Sequence, residues 1–175
     1  MKSHSEGNFT DSEKALLRMA EIVVDELPDV DSSGGEVRCH EVARIVAGVV
    51  HDVLALGWGD PVSCVLWVQD GLYGLADHSW LWTSSLEVAR ERMTAPNILD
   101  PYCVGQLPQC RLVQCDYAVL PHLGFAYQPR EVRTDLRASF IAAEIARICR
   151  GRGDEIENIW LQMIAAREEL KRRKK

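Results

Sequence analysis

The hydrophobic periodicity of this chain changes twice, near Pro61 and near Pro129. Before Pro61, apolar residues recur at the spacing of amphipathic helices, whereas between the two prolines they alternate with other residues, as they do in strands. After Pro129 the helical spacing returns. This order of helices, strands and helices predicts an α+β domain in which helices pack on an antiparallel sheet.

Local signals mark where the helices begin and end. Residues 10–13 have the T-x-x-E pattern of a capping box, and the helical pattern that follows stops at Pro28. A second helix begins at or next to Cys39 and ends at Gly57, because glycine commonly follows the last helical residue. Beyond Pro129 we predict two further helices, residues 134–149 and 154–173, interrupted by Gly151 and Gly153.

The strands are predicted from short apolar runs separated by turn residues. A turn at Gly71 separates the first two runs, and the full set is SCVLWVQ, LYGL, HSWLWT, NILD, CRLVQC and YAVL. Alternation along HSWLWT puts His78, Trp80 and Trp82 on one face of the sheet and the residues between them on the other.

Composition limits the class of protein. A chain of 175 residues that is 47% hydrophobic and 26% charged is typical of one soluble domain, with an ordered core over residues 10–170 and flexible tails at 1–9 and 171–175. The formal net charge is −6 even though the chain ends in KRRKK, so the acidic body disfavours nucleic acid. We interpret the basic run as a solvated helix end, with nucleic-acid binding through it as a weaker alternative.

The sequence also predicts a location and a redox state. No apolar run is long enough to span a bilayer, and MKSHSEGNFT lacks the hydrophobic segment of a secretory signal, so we expect a cytoplasmic protein without membrane partners. The cysteines are then expected to be reduced thiols, and none forms a CxxC pair, so we expect no metal and no cofactor. They are Cys39, Cys64, Cys103, Cys110, Cys115 and Cys149.

Three residues from separate segments suggest chemistry. His78 lies in an aromatic strand and Asp100 in a second apolar run, and two buried polar side chains are costly unless they are paired. Cys39 stands at the predicted start of a helix, where partial positive charge favours the anionic form of a thiol. We therefore predict a nucleophile at Cys39, a base at His78 and a residue that orients this base at Asp100.

The order of these motifs resembles a known family. A cysteine at the head of a core helix, then H-x-W at residues 78–80 and L-D-P at residues 99–101, is similar to the transglutaminase-like core of the papain-like cysteine fold. The resemblance covers residues 36–102 and implies a helix abutting an antiparallel sheet, with acyl transfer or amide hydrolysis through a thioester. It carries the same three roles onto Cys39, His78 and Asp100.

The sequence departs from the family beside Cys39. His40 follows directly where the family has small or aromatic neighbours, and no upstream glutamine is available as an oxyanion donor. Backbone N–H groups near Cys39 would have to take that part.

Two functions follow as hypotheses. The first is a cysteine-dependent hydrolase or acyltransferase that acts on an amide or ester of a small molecule, peptide or protein, with Trp80 and Trp82 forming a hydrophobic floor for the substrate. The second is an inactive protein of the same fold that binds a partner through this aromatic groove or its C-terminal helix.

Each residue also has a simpler interpretation. Cys39 is compatible with a small residue near a helix start, and His78 with a structural histidine bonded to Asp100. Asp100 before Pro101 also suits a turn, and the three residues together suit a metal site. The two tryptophans suit plain core packing. The segment LPHLGFAYQPREVR is either a loop packed over the sheet or part of a pocket; its candidate residues are His122, Phe125, Tyr127, Arg130 and Arg133.

Overall fold

The computed structural model describes residues 9–28, 38–58, 65–74, 76–84, 97–102, 110–114, 127–131 and 135–174. Within these residues the chain forms three helices and five strands, which confirms the predicted α+β class. They are α1 (Asp11–Asp25), α2 (Cys39–Trp58), β1 (Val65–Tyr73), β2 (Ala76–Ser84), β3 (Asn97–Asp100), β4 (Arg111–Val113), β5 (Tyr127–Pro129) and α3 (Ala138–Arg173). The predicted strand YAVL lies outside the described residues.

The predicted capping box is present at the start of α1. The Glu13 N–H donates to Thr10 Oγ1 at 3.2 Å, and the Thr10 N–H donates to Glu13 Oε2 at 2.7 Å. The other carboxylate oxygen of Glu13 accepts from Thr83 Oγ1 at 3.0 Å and from Asn97 Nδ2 at 2.6 Å. One glutamate therefore caps the helix and also fastens its first turn to β2 and β3.

The five strands form one antiparallel sheet in the order β4-β3-β2-β1-β5. The turn predicted at Gly71 is wrong, because β1 continues through that residue and the hairpin reverses at Gly74, whose φ is 65°. Gly71 is needed for space: a Cβ there would lie 2.6 Å from the ring of Trp80 and would also meet the carbonyl of Gln128.

The two faces of the sheet carry different residues, as the alternation in β2 predicts. Leu81 and Leu99 belong to the main core with the buried residues of all three helices. Trp80, Ile98 and Tyr127 form a second apolar cluster. Ser79 and Leu81 thus face the helices, whereas His78 and Trp80 belong to the opposite face.

The helix break predicted at Gly151 and Gly153 is wrong. Both glycines lie inside α3, which runs without interruption for 36 residues. Buried residues on both sides of the glycines pack against α1 and α2, so tertiary contacts outweigh the low helix propensity of glycine. These buried residues are Ile148, Ile156, Ile159, Trp160 and Met163.

The basic C-terminal run is largely helical. Residues 171–173 form the last turn of α3, in agreement with the helix predicted over residues 154–173 and not with the flexible tail predicted from residue 171. There Lys171 pairs with Glu168 at 2.8 Å, and Arg173 pairs with Glu169. These exposed pairs along one helix fit the predicted solvated helix end. None of the helices in the described part of the chain has the length and apolar content needed to cross a membrane.

The uninterrupted α3 predicts the effect of Gly151→Ala. No atom lies within 4 Å of the added Cβ, so alanine should raise the free energy of unfolding by about 1 kcal/mol through its higher helix propensity. Urea denaturation of the variant and the wild-type protein measures the difference. A loss of stability would mean that the chain needs a non-helical glycine at this position.

Candidate active site

His78 and Asp100 form a fully buried pair. Because Leu99 lies opposite Leu81, Asp100 reaches the same face of the sheet as His78. The Nε2 atom of His78 lies 3.0 Å from Oδ1 of Asp100, and both side chains are 0% exposed. Two of the three residues that we predicted from separate segments are thus in direct contact.

Other groups hold the Asp100 carboxylate in place. The Tyr102 N–H donates to Oδ1 at 3.1 Å, the Tyr127 hydroxyl donates to Oδ2 at 2.6 Å, and Arg111 Nη2 lies 3.4 Å from Oδ2. Burial and the charge of Asp100 raise the pKa of Tyr127, so its hydroxyl stays a donor. The contact with the Tyr102 amide is also the turn interaction considered for Asp100, so this carboxylate fixes a turn and orients His78 together.

Cys39 is the first residue of α2 and is partly exposed. Its Sγ atom lies 3.8 Å from the carbonyl oxygen of Asp77, the residue before His78. This contact brings the head of α2 to β2 at the position of the imidazole. The Nδ1 atom of His78 is buried and has no hydrogen-bond partner among the described residues, so it is the ring nitrogen that Asp100 does not engage.

Both Asp100 and Cys39 influence the pKa of His78. Burial alone would lower this pKa, but the hydrogen bond to Asp100 and, next to it, the interaction with Cys39 raise it to about 9. The Cys39 sulfur therefore lies within electrostatic reach of the ring, although the atoms do not form a hydrogen bond of standard geometry. A pKa of about 9 means that the imidazole of His78 is protonated at neutral pH.

The described cysteines differ in their surroundings. Burial raises the pKa of Cys110 to about 12 and also raises the pKa of Cys149, which keeps both thiols protonated and inert. Cys39, Cys110 and Cys149 are all free thiols in this structure. Cys64, Cys103 and Cys115 lie outside the described residues.

The two tryptophans predicted to form a substrate floor have different surroundings. Trp80 is 0% exposed and packs edge-on against Tyr127 at a centroid distance of 5.1 Å, so it supports the interior beside His78 and does not reach solvent. Trp82 is only partly buried and lies opposite Trp67, which is 62% exposed. A substrate contact remains a prediction for Trp82, whereas Trp80 is core packing in this structure.

Sequence reasoning missed several polar residues around the pair. The sequence predicts Tyr127 in a loop packed over the sheet or in a pocket and gives Arg111 no role, yet both residues contact Asp100. The sequence gives little indication of these contacts, because β4 and β5, which contain Arg111 and Tyr127, have only three residues each. Arg130 is exposed and its N–H donates to the carbonyl oxygen of Asp70 at 3.1 Å. His122, Phe125 and Arg133 lie outside the described residues.

A metal site gains no support from the geometry. Within the part of the chain that the structure describes, no three His, Cys, Asp or Glu side chains are arranged to hold a metal ion. In the set of Cys39, His78 and Asp100, one carboxylate oxygen is already bonded to the imidazole, and the thiol contacts the carbonyl oxygen of Asp77.

The elevated pKa of His78 predicts a pH-dependent stability. Its value of about 9 in the folded protein exceeds the ordinary value near 6.5, so its contribution is complete below pH 6.5 and is lost as the pH rises to 9. Urea denaturation at these two pH values should show that the free energy of unfolding falls by at most about 3 kcal/mol as the pH rises. The His78→Gln variant should not show this fall.

His51→Gln is the matched control, because His51 is an exposed histidine on the same protein. It should leave the pH dependence of the wild-type protein unchanged. If the free energy of unfolding depends on pH equally in the wild-type protein and the His78→Gln variant, the protonated buried pair is contradicted.

Comparison of the chain with protein-family models, with curated proteins and with solved structures gave no match.

Proposed function

We propose that this protein is a cysteine-dependent hydrolase or acyltransferase that acts on an amide or ester through a thioester on Cys39. The observation that carries the proposal is the arrangement of His78, a buried imidazole with one nitrogen bonded to Asp100. The other nitrogen has no partner among the described residues, and both Asp100 and Cys39 raise the pKa of the ring. The likeness of the motif order to the transglutaminase-like core supports the same proposal.

The proposed reaction has two steps. In the first, the Cys39 thiolate attacks the carbonyl carbon, and His78 gives its Nδ1 proton to the leaving amine or alcohol as the tetrahedral intermediate collapses to a thioester. In the second, water or an acceptor amine attacks the thioester while neutral His78 takes up its proton. The thiolate leaves, and the imidazolium and thiolate are restored.

The remaining residues orient this chemistry. Asp100 accepts from Nε2 of His78 in both steps, which leaves Nδ1 as the nitrogen that exchanges the proton. Backbone N–H groups at the first turn of α2 are the candidates for stabilising the oxyanion, since no glutamine donor was identified upstream. The reaction needs a reduced Cys39, which fits the cytoplasmic location expected from the sequence.

A second candidate is a binding protein that keeps this fold without the reaction. It is favoured by Trp67, a large apolar side chain that is 62% exposed beside the partly buried Trp82. The thiol and the imidazole also lack a direct hydrogen bond in this structure. This candidate predicts an unreactive Cys39, so thiol chemistry separates the two.

The proposed nucleophile predicts selective modification of Cys39. Iodoacetamide at neutral pH should alkylate Cys39 faster than a free cysteine peptide, and a chromogenic acyl ester should leave an acyl group there that hydroxylamine removes. Peptide mass spectrometry locates both adducts. Both should be lost in Cys39→Ala, and alkylation should slow to the rate of an ordinary thiol in His78→Gln, which keeps the thiol but loses the imidazole.

Cys149→Ala is the matched control, since it removes another partly buried helical thiol. It should leave both adducts on Cys39 unchanged. If Cys39 is alkylated no faster than the peptide and takes up no acyl group, the enzyme proposal fails and the binding protein is favoured.

A further inference from the structure

A second buried polar cluster lies directly beside the candidate active site. His40 follows Cys39 and Ser79 follows His78, and the Nδ1 atom of His40 is hydrogen-bonded to Oγ of Ser79. Both side chains are buried, with exposures of 6% and 0%. A single contact thus joins the neighbours of the two residues that the proposed reaction requires to meet.

Asp70 and Arg44 complete this cluster. The Ser79 hydroxyl donates to Asp70 Oδ1, and Arg44 donates to the two Asp70 oxygens at 3.1 and 2.7 Å. Arg44 also donates to the carbonyl oxygen of His40 at 3.0 Å. The cluster therefore links the first turns of α2 to both β1 and β2 through charge-assisted hydrogen bonds.

The apolar contacts of α2 fix its position along the sheet less precisely than its hydrogen bonds do. Val42 and Val46 belong to the same core as Leu81, and such contacts change little when a helix slides or rotates slightly. Hydrogen bonds with fixed donors and acceptors are directional, and breaking a buried one leaves a polar group unsatisfied. On the sheet side of α2, the polar cluster therefore defines the position of the head of the helix more precisely than the apolar contacts do.

We propose that His40, Ser79, Asp70 and Arg44 are positioning residues that hold Cys39 against His78 by locking the head of α2 to β2. The inference rests on the proposed function for its chemical consequence. It adds four residues to the machinery, none of which contacts the reacting atoms. All four act through the backbone segments that carry Cys39 and His78.

The chain offers a matched comparison on the same strand. Thr83 lies on the helix side of β2 like Ser79, is 1% exposed and donates to Glu13, so it fastens α1 to the sheet. Replacing Thr83 with valine removes a buried hydroxyl without altering the shape of the side chain. It should therefore destabilise the fold to a similar degree as Ser79→Ala without moving α2.

The test measures two properties of Ser79→Ala and Thr83→Val. The first is the rate of Cys39 alkylation by iodoacetamide, and the second is hydrogen exchange in the peptide that covers the first turns of α2. Ser79→Ala should slow alkylation by roughly 10- to 100-fold, since a thiol displaced from the imidazolium returns to the few per cent of thiolate that an ordinary cysteine has at neutral pH. It should also speed exchange at the head of α2. Thr83→Val should change neither beyond about twofold.

A conservative pair at His40 separates positioning from simple destabilisation. The amide of His40→Asn can occupy the place of Nδ1 and bond to Ser79, so this variant should retain most of the wild-type alkylation rate. His40→Ala should slow the alkylation of Cys39 as much as Ser79→Ala does. If Ser79→Ala does not fold, the comparison of His40→Asn with His40→Ala still tests whether the cluster positions Cys39.

Equal rates for Ser79→Ala, Thr83→Val and the wild-type protein, or His40→Asn as slow as His40→Ala, would overturn the proposal. An unreactive Cys39 in the wild-type protein would instead refute the proposed function. Hydrogen exchange would still test the lock in that case, because it does not depend on the thiol. Unchanged exchange at the head of α2 in Ser79→Ala would then refute the lock as well.

Discussion

The buried hydrogen bond between His78 and Asp100 is the interaction on which this structure depends. Removing a charged pair from water is expensive, so a carboxylate at 0% exposure beside an equally buried imidazole needs further hydrogen-bond donors around it. Tyr127, Arg111 and the Tyr102 amide do this for the carboxylate. The pairing of β3 with β2 and the attachment of β5 to β1 bring these groups to one face of the sheet.

Polar contacts hold the head of α2 on both sides of Cys39. On the sheet side, His40 and Arg44 bond to β1 and β2. On the α3 side, the fully buried carboxylate of Glu41 accepts from Arg137 at 2.8 and 2.6 Å. These bonds from Arg137, with further bonds from Arg38, lower the pKa of Glu41 to about 2 against the effect of burial. Both sets of contacts restrict the thiol to the neighbourhood of the imidazole.

The sequence predicts the elements that rest on local signals. The capping box at Thr10 and the start of α2 at Cys39 follow from short-range chemistry, and the alternation in β2 correctly separates His78 from Ser79. The contacts of Tyr127 with Asp100 and of His40 with Ser79 join segments 27 and 39 residues apart. No periodicity or motif in either segment identifies its partner.

The glycines explain two of the errors in the predicted elements. Gly71 and Gly74 are close in sequence, so local signals do not show which of them forms the turn. Gly71 lies within a strand, closely packed against Trp80 and Gln128. Gly151 likewise lies in a helix because residues on either side of it pack on the other helices. In each case tertiary contacts outweigh a local preference that sequence reasoning weighed alone.

The central claim is that Cys39, His78 and Asp100 meet in space, and the pKa of His78 measured by NMR titration tests it most directly. The account predicts a value near 9 in the wild-type protein and lower values in both Cys39→Ala and Asp100→Asn, because each partner raises it. An ordinary value near 6.5 that neither substitution changes would contradict the account.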